Sequence, residues 1–233
     1  MNTNSTTEDR LLNNIINSPA DDHPRLAYAQ WLEESSAGAP RDHWYTKSLD
    51  HAELIRAEIA IARNEDPKTG KALSPTFKRF LEERAAILHD FHFDRFDPEI
   101  REIFLKEGTG RIRFDRGFIS DLDLSNTGAT RLPAALTICN RLDISGSKIT
   151  TLPPAFKNGG ITILKGSWVT SLPQDMEARG EIVFAVGQIS RATAHTIYCM
   201  PGLSRRAKAT ALESGGHEPL GRAVERQTDI GRS

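Results

Sequence analysis

Few side chains in this 233-residue chain stand at spacings that chemistry uses. His195 and Cys199 are four residues apart, one turn if the segment is helical, and an imidazole beside a thiol is how a cysteine nucleophile is activated. A lone cysteine near the end of a repeat array more commonly acts as a small hydrophobe, so Cys199 is not assigned as catalytic. Asp121, Asp123 and Asp143 offer hard oxygen ligands, but no EF-hand spacing accompanies them. His89 and His92 flank Phe91 near Asp90 and Asp94, a set that zinc accepts and that a solvated helix end also explains. Thr69-Gly70-Lys71 lacks the first glycine and the hydroxyl residue of a phosphate loop. Metalloprotease helix, nucleophile elbow and dinucleotide fingerprint are all missing, so the expectation is a non-enzymatic protein with no metal and no cofactor.

Composition agrees with an ordinary globular chain. Hydrophobic residues make up 38%, charged residues 26%, and the formal charge is -1, which pulls toward neither nucleic acid nor membrane. Charge is unevenly spread: residues 1–110 hold 14 Lys and Arg against 20 Asp and Glu, and the remainder 16 against 11. Cys139 and Cys199 make neither a disulfide framework nor a four-ligand zinc site, which suits a reducing interior. The start, Met1 to Thr7, lacks the basic and apolar regions of a secretory signal, and no apolar run nears the roughly 20 residues that span a bilayer. The expected location is cytoplasmic, with export lacking a cleaved signal as the alternative.

The elements that would position any site differ between the two halves. In the first, Ser5 and Glu8 have the form of a capping box ahead of Leu11, Leu12, Ile15 and Ile16. Asp21 or Asp22 caps a second helix with Pro24 in its first turn and Tyr28, Trp31 and Leu32 inward. A third helix buries Leu54, Ile55, Ile59 and Ala62, and a fourth buries Phe77, Leu81, Ala85 and Leu88. A fifth starts at Asp97-Pro98 with Ile100, Ile103 and Phe104 inward. These helices should bundle around Trp31 and the phenylalanines.

In the second half, Leu132-Pro133, Leu152-Pro153 and Leu172-Pro173 recur every 20 residues. Aligned on them, Leu122, Leu142, Thr162 and Ile182 form one column and Leu124, Ile144, Leu164 and Phe184 another. Asn126, Gly146, Gly166 and Val186 then mark a turn, and Ala129, Ile149, Val169 and Ile189 a further apolar column. A single unit cannot bury its own leucines, whereas stacked coils pair their strands in parallel and share one apolar column. Thr162 sits in a core column between Ile161 and Ile163, which predicts a one-residue slip or bulge in the third strand, because such a slip exchanges the faces. Arg191-Ala192 stands where Leu-Pro belongs, so the array fades there, and Ile197, Tyr198 and Met200 should cover the last coil.

Two resemblances follow from these residues. The run Asp21 to Glu34, then Ala52 to Glu58 and Arg116-Gly117-Phe118, resembles the bacterial repeat-companion domain, a helical module placed ahead of repeats, except that Gln30 stands where that family usually has Asp. That resemblance implies no chemistry. The 20-residue units resemble the LPX-type leucine-rich repeats of secreted bacterial effectors. Such effectors can carry a ubiquitin-ligase domain with a catalytic cysteine, but the roughly 40 residues after Ser190 are too few to fold one.

The expected fold class is α+β: an N-terminal α-helical domain capping a short leucine-rich-repeat solenoid with parallel strands. Residues 1–7 should be unstructured, 8–110 helical, 111–201 a solenoid of about four 20-residue coils and 202–233 a mobile polar tail. Recognition should fall on the outward strand residues: Asp121, Asp123 and Ser125, then Arg141, Asp143 and Ser145, then Lys165, then Glu181 and Val183. Their other reading is the solvated face of a sheet. The expected function is a monomeric, non-catalytic module binding a protein partner through that concave face, without membrane contact. The alternatives are an exported effector and a cysteine enzyme at Cys199. Trp31, Trp44 and Trp168 read as core or interface residues. Arg205, Arg206, Lys208, Arg222 and Arg226 lack interleaved aromatics, so no nucleic-acid partner is expected.

Overall fold

The computed structural model describes residues 3–37, 43–66, 69–93, 101, 110–133 and 136–216. Helices α1 (Thr3–Asn17), α2 (His23–Ser36), α3 (His43–Arg63) and α4 (Pro75–Phe93) lead into a parallel β-solenoid of about three turns, a mixed α+β arrangement. Helix α1 begins inside the segment expected to be unstructured and two residues before the Ser5 expected to cap it, with no apolar residue between Met1 and Leu11 to announce its first turns. The fifth helix expected at Asp97, the side chains of Trp44 and His92, and Arg222 and Arg226 lie outside the described residues.

Apolar spacing accounts for the helix packing. Ile15, Tyr28, Ala29, Leu32, Ala52, Ile55 and Ile59 meet in one cluster, with Trp31 stacked on Tyr28 at a centroid distance of 5.6 Å. Among the described side chains, helix α4 contributes Ala85 and Leu88, which pack against Leu54 of α3. Phe77 was expected inward and is instead exposed beside Phe80, and Ala62 yields its place in the core to Ala60. Asp22 is the N-cap residue of α2 but makes no side-chain cap bond. Its carboxylate accepts from Arg63 at 2.5 Å and meets Arg116 at 3.1 Å, tying α2 to α3 and to the start of the sheet.

The sheet opens with an antiparallel hairpin of β1 (Arg111–Asp115) and β2 (Phe118–Asp123). Arg116 and Gly117 hold φ of 52° and 80°, the two-residue turn whose twist suits a hairpin. The helical domain grips that tip. The Gly117 amide donates to Glu58, His51 Nε2 lies 2.8 Å from the Gly117 carbonyl, and a Cβ at Gly117 would stand 2.9 Å from the Ile55 Cα. Phe118 and Cys139 complete the helical cluster, so cap and solenoid share a core.

From β2 onward the strands stack in parallel. β2, β3 (Thr137–Asp143), β5 (Ile161–Ile163) and β7 (Ile182–Val183) form one column, aligned as Leu122↔Leu142↔Thr162↔Ile182. β4 (Lys157–Asn158) and β6 (Glu177–Ala178) continue the N-terminal end of β3 as a second column on another side of each coil. Gly160 and Gly180 form the corner between columns, where a Cβ on either would overlap the carbonyl of the coil before it. Inside run Leu124, Ile144, Leu164 and Phe184 with Ala129, Ile149, Val169 and Ile189, as the 20-residue alignment expects. Positive φ recurs at Asn126, Gly146 and Gly166, then moves to Gly187 in the last coil, leaving Val186 exposed.

Two expectations about the far end are corrected. The segment from 202 onward is not wholly a mobile tail: after α5 (Arg191–Cys199), the chain forms α6 (Arg205–Ser214), capped by Ser204 through Ala207 N. Ala207 and Ala211 are fully buried against the coil stack, and Leu203 bridges Ala178 in register with the second column. Small alanines at i and i+4 let this helix approach closely while leaving little apolar bulk for the sequence to display. Ile197 and Met200 are buried as expected, but Tyr198 faces outward with Lys208 Nζ 6.0 Å from its ring centroid. Trp168 is likewise exposed, on a coil turn rather than in a core or interface.

Candidate protein-interaction face

Alternation along the parallel column sends Leu122, Leu142, Thr162 and Ile182 inward and their neighbours outward. The outward residues align in rows across the coils. Asp121 pairs with Arg141 and then Ile161, and Asp123 with Asp143, Ile163 and Val183. These rows form a surface, and Ser125, Ser145 and Lys165 lie two residues beyond the ends of β2, β3 and β5. On the β1 side it opens into a depression lined by Arg111, Arg113, Asp121, Asp123 and Arg141.

Most charges on this face are already satisfied. Asp121 accepts from Arg113 Nε at 2.5 Å, Asn140 Nδ2 at 2.6 Å and Ser120 Oγ at 2.9 Å. Asp143 accepts from Arg141 at 2.7 Å and from the Ser145 hydroxyl and amide at 2.7 and 3.0 Å. Asp123 Oδ1 takes the Ser125 amide at 2.9 Å, and Glu181 pairs with Arg206 of α6. Burial pushes the Asp121 and Asp143 carboxyls up, but the hydrogen bonds outweigh it, so both lie below the ordinary carboxylate range. Asp143 is only 6% exposed and acts as a strut of the turn more than as a contact. Of the eight polar residues expected at the site, Lys165 is exposed and makes no ion pair among the described residues.

The third strand of the column, β5, departs from expectation. No slip occurs in β5: Thr162 is fully buried in register, and the sheet's irregularities fall instead at Arg113/Phe114 and Ile119/Asp121. The buried hydroxyl is satisfied by Asn158 Nδ2 at 2.7 Å, and Asn158 is itself fully buried. Ile161 and Ile163 consequently face outward, half-buried, next to Val183. Fully burying an isoleucine is worth about 1.5–3 kcal/mol, a gain this strand forgoes at two positions.

Gln188 finishes the turn column. Earlier turn amides donate to the next coil, as Asn126 N does to the Ser145 carbonyl and Gly146 N to that of Lys165. Gly166 N instead donates to Gln188 Oε1 at 3.0 Å, while Gln188 Nε2 donates to the carbonyls of Leu164, Ser167 and Val169 at 2.9, 3.1 and 2.9 Å. A side-chain amide from the last coil thus takes the place of its backbone at this turn. Only the position of Gln188 one residue past Gly187 marked it in the sequence.

Elsewhere, Cys199 Sγ lies 3.9 Å from His195 Nδ1 on an exposed face of α5. Cys139 is buried at the domain junction, where burial pushes its thiol up and Arg25 donates to Sγ at 3.7 Å. His89 is 2.7 Å from Glu58 in the grip on the hairpin. His23 pairs with Asp21 at the start of α2, and Gln30 donates to Glu34 on an exposed helix face. Among the described residues, no group of three or more His, Cys, Asp or Glu is placed to hold a metal ion, and no helix is long and apolar enough to cross a membrane. Comparison with protein-family profiles, with curated proteins and with solved structures matched nothing.

Proposed function

We propose that this chain is a non-catalytic protein-interaction module, a short leucine-rich-repeat stack of the LPX type behind a repeat-companion-like helical cap, which binds a partner through the outward face of its main strand column. The observation that carries this reading is the closure of both ends. The cap shares a core with the first coil, and α5 and α6 cover the last. What stays open is a regular surface of aligned side-chain rows whose backbone is spent on the ladders. Such rows present contacts at fixed spacing with little ordering cost, which favours recognition of another protein. An exported effector would use the same face and differ only in its destination.

The test is site-specific photocrosslinking in cells. A benzophenone side chain at Ser125 or Lys165 should yield one discrete heterologous adduct, and the same group at Glu82 on α4 should not. Adducts from Glu82 alone would overturn the assignment.

A further inference from the structure

The inverted pattern of β5 points to the chemistry of the partner. Two β-branched aliphatics are turned outward while a threonine occupies the core, where a fully buried asparagine donates to its hydroxyl. Asn158 also donates to the Ile161 carbonyl and accepts from the Gly160 amide, so the threonine belongs to a polar corner; what the strand forgoes is the burial of the two isoleucines beside it. Sequences that break a local rule commonly do so at functional positions.

The surroundings narrow the partner further. Ile161 and Ile163 stand about 6.6 Å apart along β5, and Val183 lies about 4.8 Å across the ladder, the spacings of a pleated sheet. They form a small apolar strip, and none of the three belongs to the apolar clusters of the core. Among the described residues, the charges bordering it pair internally with one exception: Arg141 with Asp143, Glu181 with Arg206. The exception is Lys165, exposed in the turn two residues beyond Ile163. A partner settling here meets carbon and one unneutralised ammonium group. Backbone pairing is closed to it, since both edges of β5 are already in ladders with β3 and β7.

Resting on the interaction reading above, we propose that this strip is the centre of the contact and that its occupant is an extended protein segment with large apolar side chains and a nearby Asp or Glu, which docks by side chains and pairs with Lys165. Binding is then governed by apolar contact, with the acidic group setting orientation and selectivity.

The test uses the full chain and a display library of nonapeptides in three sets: apolar alternating with Asp, apolar alternating with Lys, and Ser alternating with Asp. Enrichment of the apolar–Asp set is expected. Ile163→Lys should weaken its binding at least about tenfold and the milder Ile163→Thr several-fold, with melting temperatures close to wild type. Lys165→Glu should shift the preference toward the apolar–Lys set. Peptides that bind unaffected by Ile163→Lys and Ile163→Thr but are lost in Arg113→Glu or Asp123→Arg would overturn this inference and leave the strand-face reading standing. No enrichment, or binding indifferent to all of these variants, would overturn both.

Discussion

Asp143 shows how a carboxylate can sit nearly out of water on a strand and keep its charge. Its oxygens accept from Arg141 and from the hydroxyl and amide of Ser145, and these bonds exceed the penalty of burial. Asp121 is held low in the same sense by Ser120, Arg113 and Asn140. Because the folded pKa of each lies below the unfolded value, the unfolded chain binds more protons as pH falls, and the stabilisation is present above the ordinary carboxylate range and lost as pH drops through the folded pKa. Urea midpoints of the wild type should therefore hold steady at neutral pH and decline once pH falls below about 4. Asp143→Asn should start lower, by about 1–2 kcal/mol, and decline less steeply. An equally steep acid decline in the variant would remove Asp143 from this account. At the same scale, Thr162 marks where residue types mislead: a threonine flanked by isoleucines reads as a slipped strand unless Asn158, four residues earlier, is seen to supply its partner.

Elements were legible where periodicity is long-ranged. Twenty-residue spacing placed the inward columns correctly, because only stacked coils of constant length bring Leu122, Leu142 and Ile182 together. Helix α6 was not legible, since its contacts are made by Ala207 and Ala211 among charged neighbours, a pattern indistinguishable in composition from a solvated tail. Its importance is nonetheless physical: it covers the last coil, its Arg206 pairs with Glu181, and Gly187 N donates to the Ser214 carbonyl at 3.1 Å. In a stack where each coil contacts only its neighbours, losing that cover should fray the array from one end. Ala207→Glu places a charge at a fully buried site and should cost about 3 kcal/mol or more locally. Hydrogen exchange should then speed up at Ile182, Val183 and Gly187, while Leu122 and Leu124 keep their protection. Uniform acceleration across all coils would mean that α6 belongs to a single cooperative unit with the cap.

At the scale of the whole molecule, the junction decides whether the cap and the solenoid behave as one body or two. Phe118 and Cys139 of the first coils lie in the same apolar cluster as Ile15, Tyr28 and Ile55 of the helices. Helix α1 adds a second line of attachment: Asn13 Nδ2 donates to Glu177 at 2.8 Å, and the buried Lys157 ammonium lies 3.1 Å from Glu177 and 3.5 Å from Asp9. Undocking would expose aromatic and aliphatic surface on both sides and strand Lys157 and Arg25, two buried cations, away from part of their partners. Cys139 sits in that seam and is a natural reporter once exposed Cys199 is replaced by Ser. Its labelling by a thiol reagent should be slow in water and should rise with urea along the slope found for global unfolding by circular dichroism, because a seam that opens only when everything opens exposes the full unfolding surface. Fast labelling with a shallow urea dependence would show instead that the helical cap detaches alone, and that the first coil's apolar end is transiently available for contact.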